Sequence, residues 1–167
     1  MSVKFLGHLE VANGSWSTRF ITVGTQFFSL LGTSFIDGLR QRAVNVRADT
    51  IGSIATAIAD AGTGPKTKAE RPEIVGYVRE CILRQTDEGY AVACEAAAGT
   101  VDADQAAITC PVLLITGTAD GIAPPEKTQH IAAGFGDATV HVIDGIGHWT
   151  VVEAGAEVAS LVAEFLG

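Results

Sequence analysis

Aromatic residues are scarce, at 7% of a 167-residue chain, while alanine fills much of its 47% hydrophobic fraction and glycine adds 19 residues. Small apolar residues suit closely packed helices better than a β-sandwich core. Cysteine is equally sparse. Cys81, Cys94 and Cys110 are an odd number with no Cys-x-x-Cys spacing, which argues against a disulfide framework and against a zinc site. Reduced thiols in a cytoplasmic setting are the expectation. Runs of like charge are missing as well. Acidic residues outnumber basic ones 19 to 11, for a net charge of −8, and such a surface repels phosphate backbones, so nucleic acid is not an expected partner. Stretches of about 18 apolar residues are absent, which excludes a transmembrane helix as an expectation, and with it a membrane partner. The opening residues MSVKFLGHLEVANG lack the apolar run of a signal peptide.

What is present is enough apolar residue for a single domain with a sizeable core, organised in three stretches. Residues 1–31 are read as an N-terminal β segment. The β-rich runs Val3 to Val11 and Trp16 to Val23 flank Asn13-Gly14, a dipeptide that accepts the positive φ of a type I′ hairpin turn. Residues 25–31, TQFFSLL, are apolar enough for a short buried strand. Residues 32–107 form a helical region. Asp37 is placed to cap a first helix through about Arg47, and a second runs from about Asp49 to Ala61. The stretch from Gly62 to Lys68 reads as a loop. Pro72 suits the first turn of a third helix, with Ile74, Val78, Cys81 and Ile82 as an apolar stripe. Thr86 can cap a fourth that ends at Gly99.

Residues 108–167 change period again. The run Pro111 to Thr116 is short, β-branched and continuously apolar, which is how a strand buried on both faces of a parallel sheet reads. A helix over 125–134, a strand over 138–143 and a helix from about Thr150 to Leu166 follow, giving a βαβ unit.

Ligands of open α/β sheets sit beyond the carboxyl ends of the strands. Asp120 lies four residues past Thr116 and His148 five past Ile143, so parallel neighbouring strands bring both to one edge of the sheet. A carboxylate that hydrogen-bonds one imidazole nitrogen fixes the tautomer and leaves the other nitrogen to act as a base toward a hydroxyl or a water. Singly, an Asp in the loop Gly117-Thr-Ala-Asp-Gly121 can be a mere turn former, and a His among glycines a mere surface residue. The matching strand ends favour the pair, in the chain order acid then histidine.

These residues carry a resemblance. The segment CPVLLITGTADGIAPPEKTQHIA, followed by VHVIDGIGHWTVVEAGAEVASLVAEFL, resembles the C-terminal part of the α/β-hydrolases: strand, Gly-x-x-Asp, Pro, then Gly-His-Trp and Glu. The stretch DEGYAVACEAAAGTVDADQAAI, leading into the strand, is similar to the cap of 3-oxoadipate enol-lactonases. The resemblance covers about residues 29–167. It implies an α/β, partial α/β-hydrolase fold, with a helical cap followed by the last two parallel strands and their helices. It also implies Asp120 as triad acid, His148 as general base, and Ile122 with the Pro124-Pro125 turn lining the pocket base. Trp149 and Glu153 are expected to pack or to cap the last helix. The implied substrate is a small carboxylic ester or lactone, with no metal and no organic cofactor.

The family's nucleophile, a Ser in Gly-x-Ser-x-Gly, does not occur in the chain. Ser34, in Gly32-Thr-Ser-Phe-Ile36, follows an apolar run, but Ile36 stands where the elbow needs Gly or Ala, and the resemblance places residues 28–32 after the elbow. Cys81 and Cys94 fall within helices and Cys110 precedes a strand. His8 follows Gly7 in the reverse of the oxyanion-hole order, and His130 and His141 read as packing or surface residues. The chain therefore resembles a hydrolase lacking its first half, as a fragment, a truncated gene product or a natural variant. On its own it is expected to be inactive as a serine-type hydrolase or otherwise, since loss of the nucleophile leaves mainly binding and polarisation. The alternatives are a non-catalytic binding module and a homo-oligomer that completes the sheet.

Overall fold

The structure is a computed structural model that describes residues 3–10, 16–23, 32–100 and 104–167, the first two ranges by their backbone. Strands β1 (Val3–Glu10) and β2 (Trp16–Val23) pair antiparallel, from Val3 opposite Val23 to Glu10 opposite Trp16. The expected Asn13-Gly14 turn and the apolar run 25–31 lie outside the described residues.

Helices α1 (Gly32–Ala48), α2 (Gly52–Gly62), α3 (Pro65–Glu70), α4 (Glu73–Leu83) and α5 (Asp87–Ala98) follow. Then come β3 (Val112–Gly117), α6 (Pro125–Ala132), β4 (Ala138–Ile143), α7 (Thr150–Glu153) and α8 (Gly155–Leu166). Among the described residues the strands form one sheet in the order β1-β2-β3-β4, with β2 parallel to β3 and β3 parallel to β4. The apolar run of β3 thus has a neighbour on each side, and β2 is the one the sequence left uncertain.

All six residues of β3 are buried. Alternation splits them between two layers. Leu113 and Ile115 pack with Ile143, Ile146 and Val158 under α8, whereas Val112 and Leu114 pack with Ile131 and Phe135 beneath α6. The helical region has its own two clusters. Ala43, Ala91 and Ala98 let α1 and α5 approach closely around Leu39 and Cys94. Val46, Ile51, Ala55, Ala59, Val78 and Ile82 join the end of α1 to α2 and α4. Trp149 and Val152, from the far end of the chain, pack against this second cluster.

Several local expectations are corrected. Helix α1 starts at Gly32 and takes in Asp37, whose carboxylate pairs with Arg40 at 3.1 Å one turn on rather than capping. Helix α2 starts at Gly52, not Asp49, because its entry is held from outside: Asp87 Oδ1 accepts from the Ile51 amide at 2.7 Å. The stretch expected to be a loop contains α3, with Pro65 in its first turn, where a missing N–H costs nothing. Cys81 is exposed and does not belong to the apolar stripe of α4. The last helix is two, broken at Ala154, which leaves helical geometry at φ −132° and ψ 38°.

Candidate active site

Strand β3 ends at Gly117, and the chain turns at once, the Asp120 amide donating to the Gly117 carbonyl at 3.2 Å. Asp120 is 2% exposed. Its Oδ1 accepts from the amides of Ile122 at 2.8 Å and Ala123 at 2.9 Å, the side-chain-to-backbone bonding by which aspartate makes a turn. Thr116 secures the far side of the loop by donating to the Ala123 carbonyl at 2.9 Å.

The second loop leaves β4 at Ile143 and lies along the first. Thr118 and Ala119 donate their amides to the carbonyls of Ile143 and Ile146 at 3.0 and 2.9 Å. This contact requires a glycine at 117, since a Cβ there would lie closer than 3.0 Å to the Ile146 carbonyl group. The zipper brings His148, 8% exposed, against Asp120: Nδ1 stands 3.0 Å from Oδ2 and 3.2 Å from Oδ1. A carboxylate only accepts, so Nδ1 carries the proton and the base position falls to Nε2. The Trp149 ring lies edge-on to the imidazole, with centroids 5.4 Å apart and planes at 69°.

Burial pushes the Asp120 carboxyl up. The hydrogen bond from His148, its charge, and the amides of Ala123 and Ile122 outweigh that effect, and the carboxyl is held below its ordinary value.

The histidine loop rests on the helical region. The His148 amide donates to the Gly62 carbonyl at 2.7 Å, and the Lys66 amide to the Gly145 carbonyl at 3.2 Å. Two Gly-x-Gly strings meet here, Gly62-Thr-Gly64 and Gly145-Ile-Gly147. A Cβ on Gly64 or Gly147 would come closer than 3.0 Å to the opposing backbone, and Gly145 has φ +71°, a conformation open to glycine at little cost. Glu153 is buried in this junction and reaches both loops. The expected helix-capping contact is present, the Trp149 amide at the start of α7 donating to Glu153 Oε1; the two Gly-x-Gly strings were the signal in the sequence for its further contacts.

Of the remaining candidates, Ser34 is exposed in the first turn of α1. Cys94 is buried on α5, and burial pushes its thiol up, which disfavours the nucleophilic thiolate. His130 is exposed on α6 and His141 lies half-buried on β4. Among the described residues no cluster of three or more His, Cys, Asp or Glu could hold a metal ion, and no helix is long and apolar enough to cross a membrane.

Parallel strands that each end in a loop, an acid on the first, a histidine on the second and a helical insertion ahead of both define an α/β-hydrolase, here in partial form. The family described as TAP-like protein matches residues 81–167, just over half of the sequence, and the chain belongs to that family. Among solved structures, a thermophilic esterase from Thermogutta terrifontis is 28% identical with a TM-score of 0.75, over 81% of this chain and 50% of its own. The enol-lactonase from Burkholderia xenovorans is 25% identical with a TM-score of 0.66, over 75% and 48%. A hydrolase from Pseudomonas aeruginosa shares the fold at 21% identity and a TM-score of 0.75, over 88% and 54%. The chain spans about half the length of these structures. No protein of curated function matches it.

Proposed function

We propose that this chain carries the proton-handling half of an ester or lactone hydrolase that acts on small carboxylic substrates. The observation that carries the reading is the buried Asp120–His148 pair, with Nδ1 3.0 Å from Oδ2 at the carboxyl ends of adjacent parallel strands. The similar proteins support the substrate class: one is described as an esterase with malate bound and another as an enol-lactonase. The helices of residues 32–107 serve as the cap over the sheet edge, and the segment 108–167 as the core that holds the pair.

In this reading Asp120 orients the imidazole and stabilises its cation. His148 Nε2 takes the proton of the attacking hydroxyl as the new carbon–oxygen bond forms. It returns that proton to the departing alkoxide when the ester bond breaks. A Gly-x-Ser-x-Gly elbow is absent from the sequence, so these residues supply the base and its orienting acid, and the attacking group open to them in an assay of this chain is water. A positioned general base contributes about 10²–10⁴-fold.

The test is hydrolysis of a p-nitrophenyl ester by the wild-type chain, His148→Ala and Asp120→Asn at neutral pH. A wild-type rate above the buffer level that both variants abolish would assign the catalysis to the pair. Equal rates for all three at the buffer level would remove catalysis from this chain. A second reading would then stand, favoured by the missing elbow: a binding module whose cap and sheet edge hold a small carboxylic ligand without turning it over.

A further inference from the structure

Three consecutive amides carry the histidine: Gly147, His148 and Trp149. None of them is fixed by the strand that precedes them. The His148 amide donates to the Gly62 carbonyl at 2.7 Å. The amides on either side both donate to Glu153, Gly147 to Oε2 at 3.2 Å and Trp149 to Oε1 at 3.1 Å. The same Oε2 accepts from the Gly64 amide and the Thr67 hydroxyl, each at 2.8 Å, residues 89 and 86 positions earlier in the chain. Glu153 is 4% exposed and three of these four bonds are buried, so its loss leaves buried donors without their partner.

From this convergence we infer that Glu153 is a positioning residue of the active site, holding the backbone on both sides of His148 and tying it to the α2–α3 connection. The inference rests on the proposed role of the Asp120–His148 pair and adds to it what sets the imidazole's place. A carboxylate suits the position best. It offers about four lone-pair sites and no donor, and charge-assisted hydrogen bonds are about twice as strong as neutral ones. Glutamine must turn its NH₂ toward at least one N–H, and its least costly orientation gives up only the Trp149 amide. Alanine gives up all four bonds. Arg71 reinforces the same corner from the helical side by donating from Nη2 to the Val152 and Glu153 carbonyls. As Gly64 and Thr67 belong to the helical region, a displacement of those helices reaches the histidine through this side chain as well as through the direct bond of the His148 amide to the Gly62 carbonyl.

The His148 Nδ1 proton reports the geometry directly, because a proton shared with a buried carboxylate resonates well downfield of the amide envelope. Proton NMR of the full chain should show this resonance in the wild type and lose it in Asp120→Asn, which assigns it. In Glu153→Ala it should shift or broaden away while the far-UV spectrum stays native. Glu153→Gln and Thr67→Ala should move it by smaller amounts, with glutamine restoring most of what alanine loses. Should Glu153→Ala fail to fold, these two milder variants decide. A resonance present in the wild type and unmoved in the folded variants overturns the inference and leaves the proposed pair intact. Absence of the resonance from the wild type overturns the pair, and the inference with it.

Discussion

The two oxygens of Asp120 face different work. Oδ1 accepts from the Ile122 and Ala123 amides to shape the turn, while Oδ2 makes the closest approach to His148 Nδ1, at 3.0 Å. Turn former and partner of the imidazole are therefore not competing descriptions of this aspartate. Its carboxyl sits below the ordinary value of 3.8 in the folded chain. The unfolded chain thus binds the proton more readily, so the stabilisation is complete above about pH 5 and is lost as the pH falls through the folded value. Urea unfolding followed from pH 6 downward should show a midpoint that drops below about pH 5, and Asp120→Asn should flatten that drop. Gly117 is a residue-scale constraint of another sort. Gly117→Ala places a Cβ against the Ile146 carbonyl group, and overpacking of this kind costs about 1–3 kcal/mol. Thermal or chemical unfolding measures it, and a loss within error of zero would mean that the two loops lie further apart than described.

Among the elements, α5 has both ends set by neighbours in sequence. Thr86 accepts from the Gly89 amide at 3.0 Å, Asp87 and Glu88 occupy the first turn, and Gly99 follows the last residue. Thr86→Ala should therefore cost about 1 kcal/mol, read from urea midpoints, with Thr86→Ser restoring most of it. Arg47 spans from α1 to Glu88 and Glu95 on α5. These groups are solvent-exposed, so its removal should matter little at physiological salt. Helix α2 shows the opposite case, since its start depends on Asp87 from another helix. A cap supplied across the fold leaves no mark near the helix it serves, which is why the local pattern placed that start three residues early.

For the molecule as a whole, the helical region and the sheet meet at the facing Gly-x-Gly turns, at Glu153 and where Trp149 and Val152 enter the helical core. A junction of this kind should make the two unfold together. Gly64→Ala puts a Cβ into the backbone of residues 145–147 and should destabilise the chain by about 1–3 kcal/mol. Circular dichroism and tryptophan fluorescence should shift by the same amount. Transitions that separate, or a fluorescence change alone, would show that the two parts are stable independently.

Period and punctuation alone determined much of this protein: the hairpin pairing of β1 with β2, the extent of β4, the cap and stop of α5, and the βαβ order that sets Asp120 and His148 at two strand ends. Each of these depends on residues close in sequence, where hydrophobic spacing and turn chemistry act directly. Only the tertiary structure decided that β2 flanks β3, that Pro65 opens a helix, that the last helix breaks at Ala154, and that Glu153 turns inward to meet the histidine loop. Those features arise from hydrogen bonds and close approaches between residues as many as 92 positions apart, and a carboxylate reads the same in sequence whether it faces water or four backbone and side-chain donors.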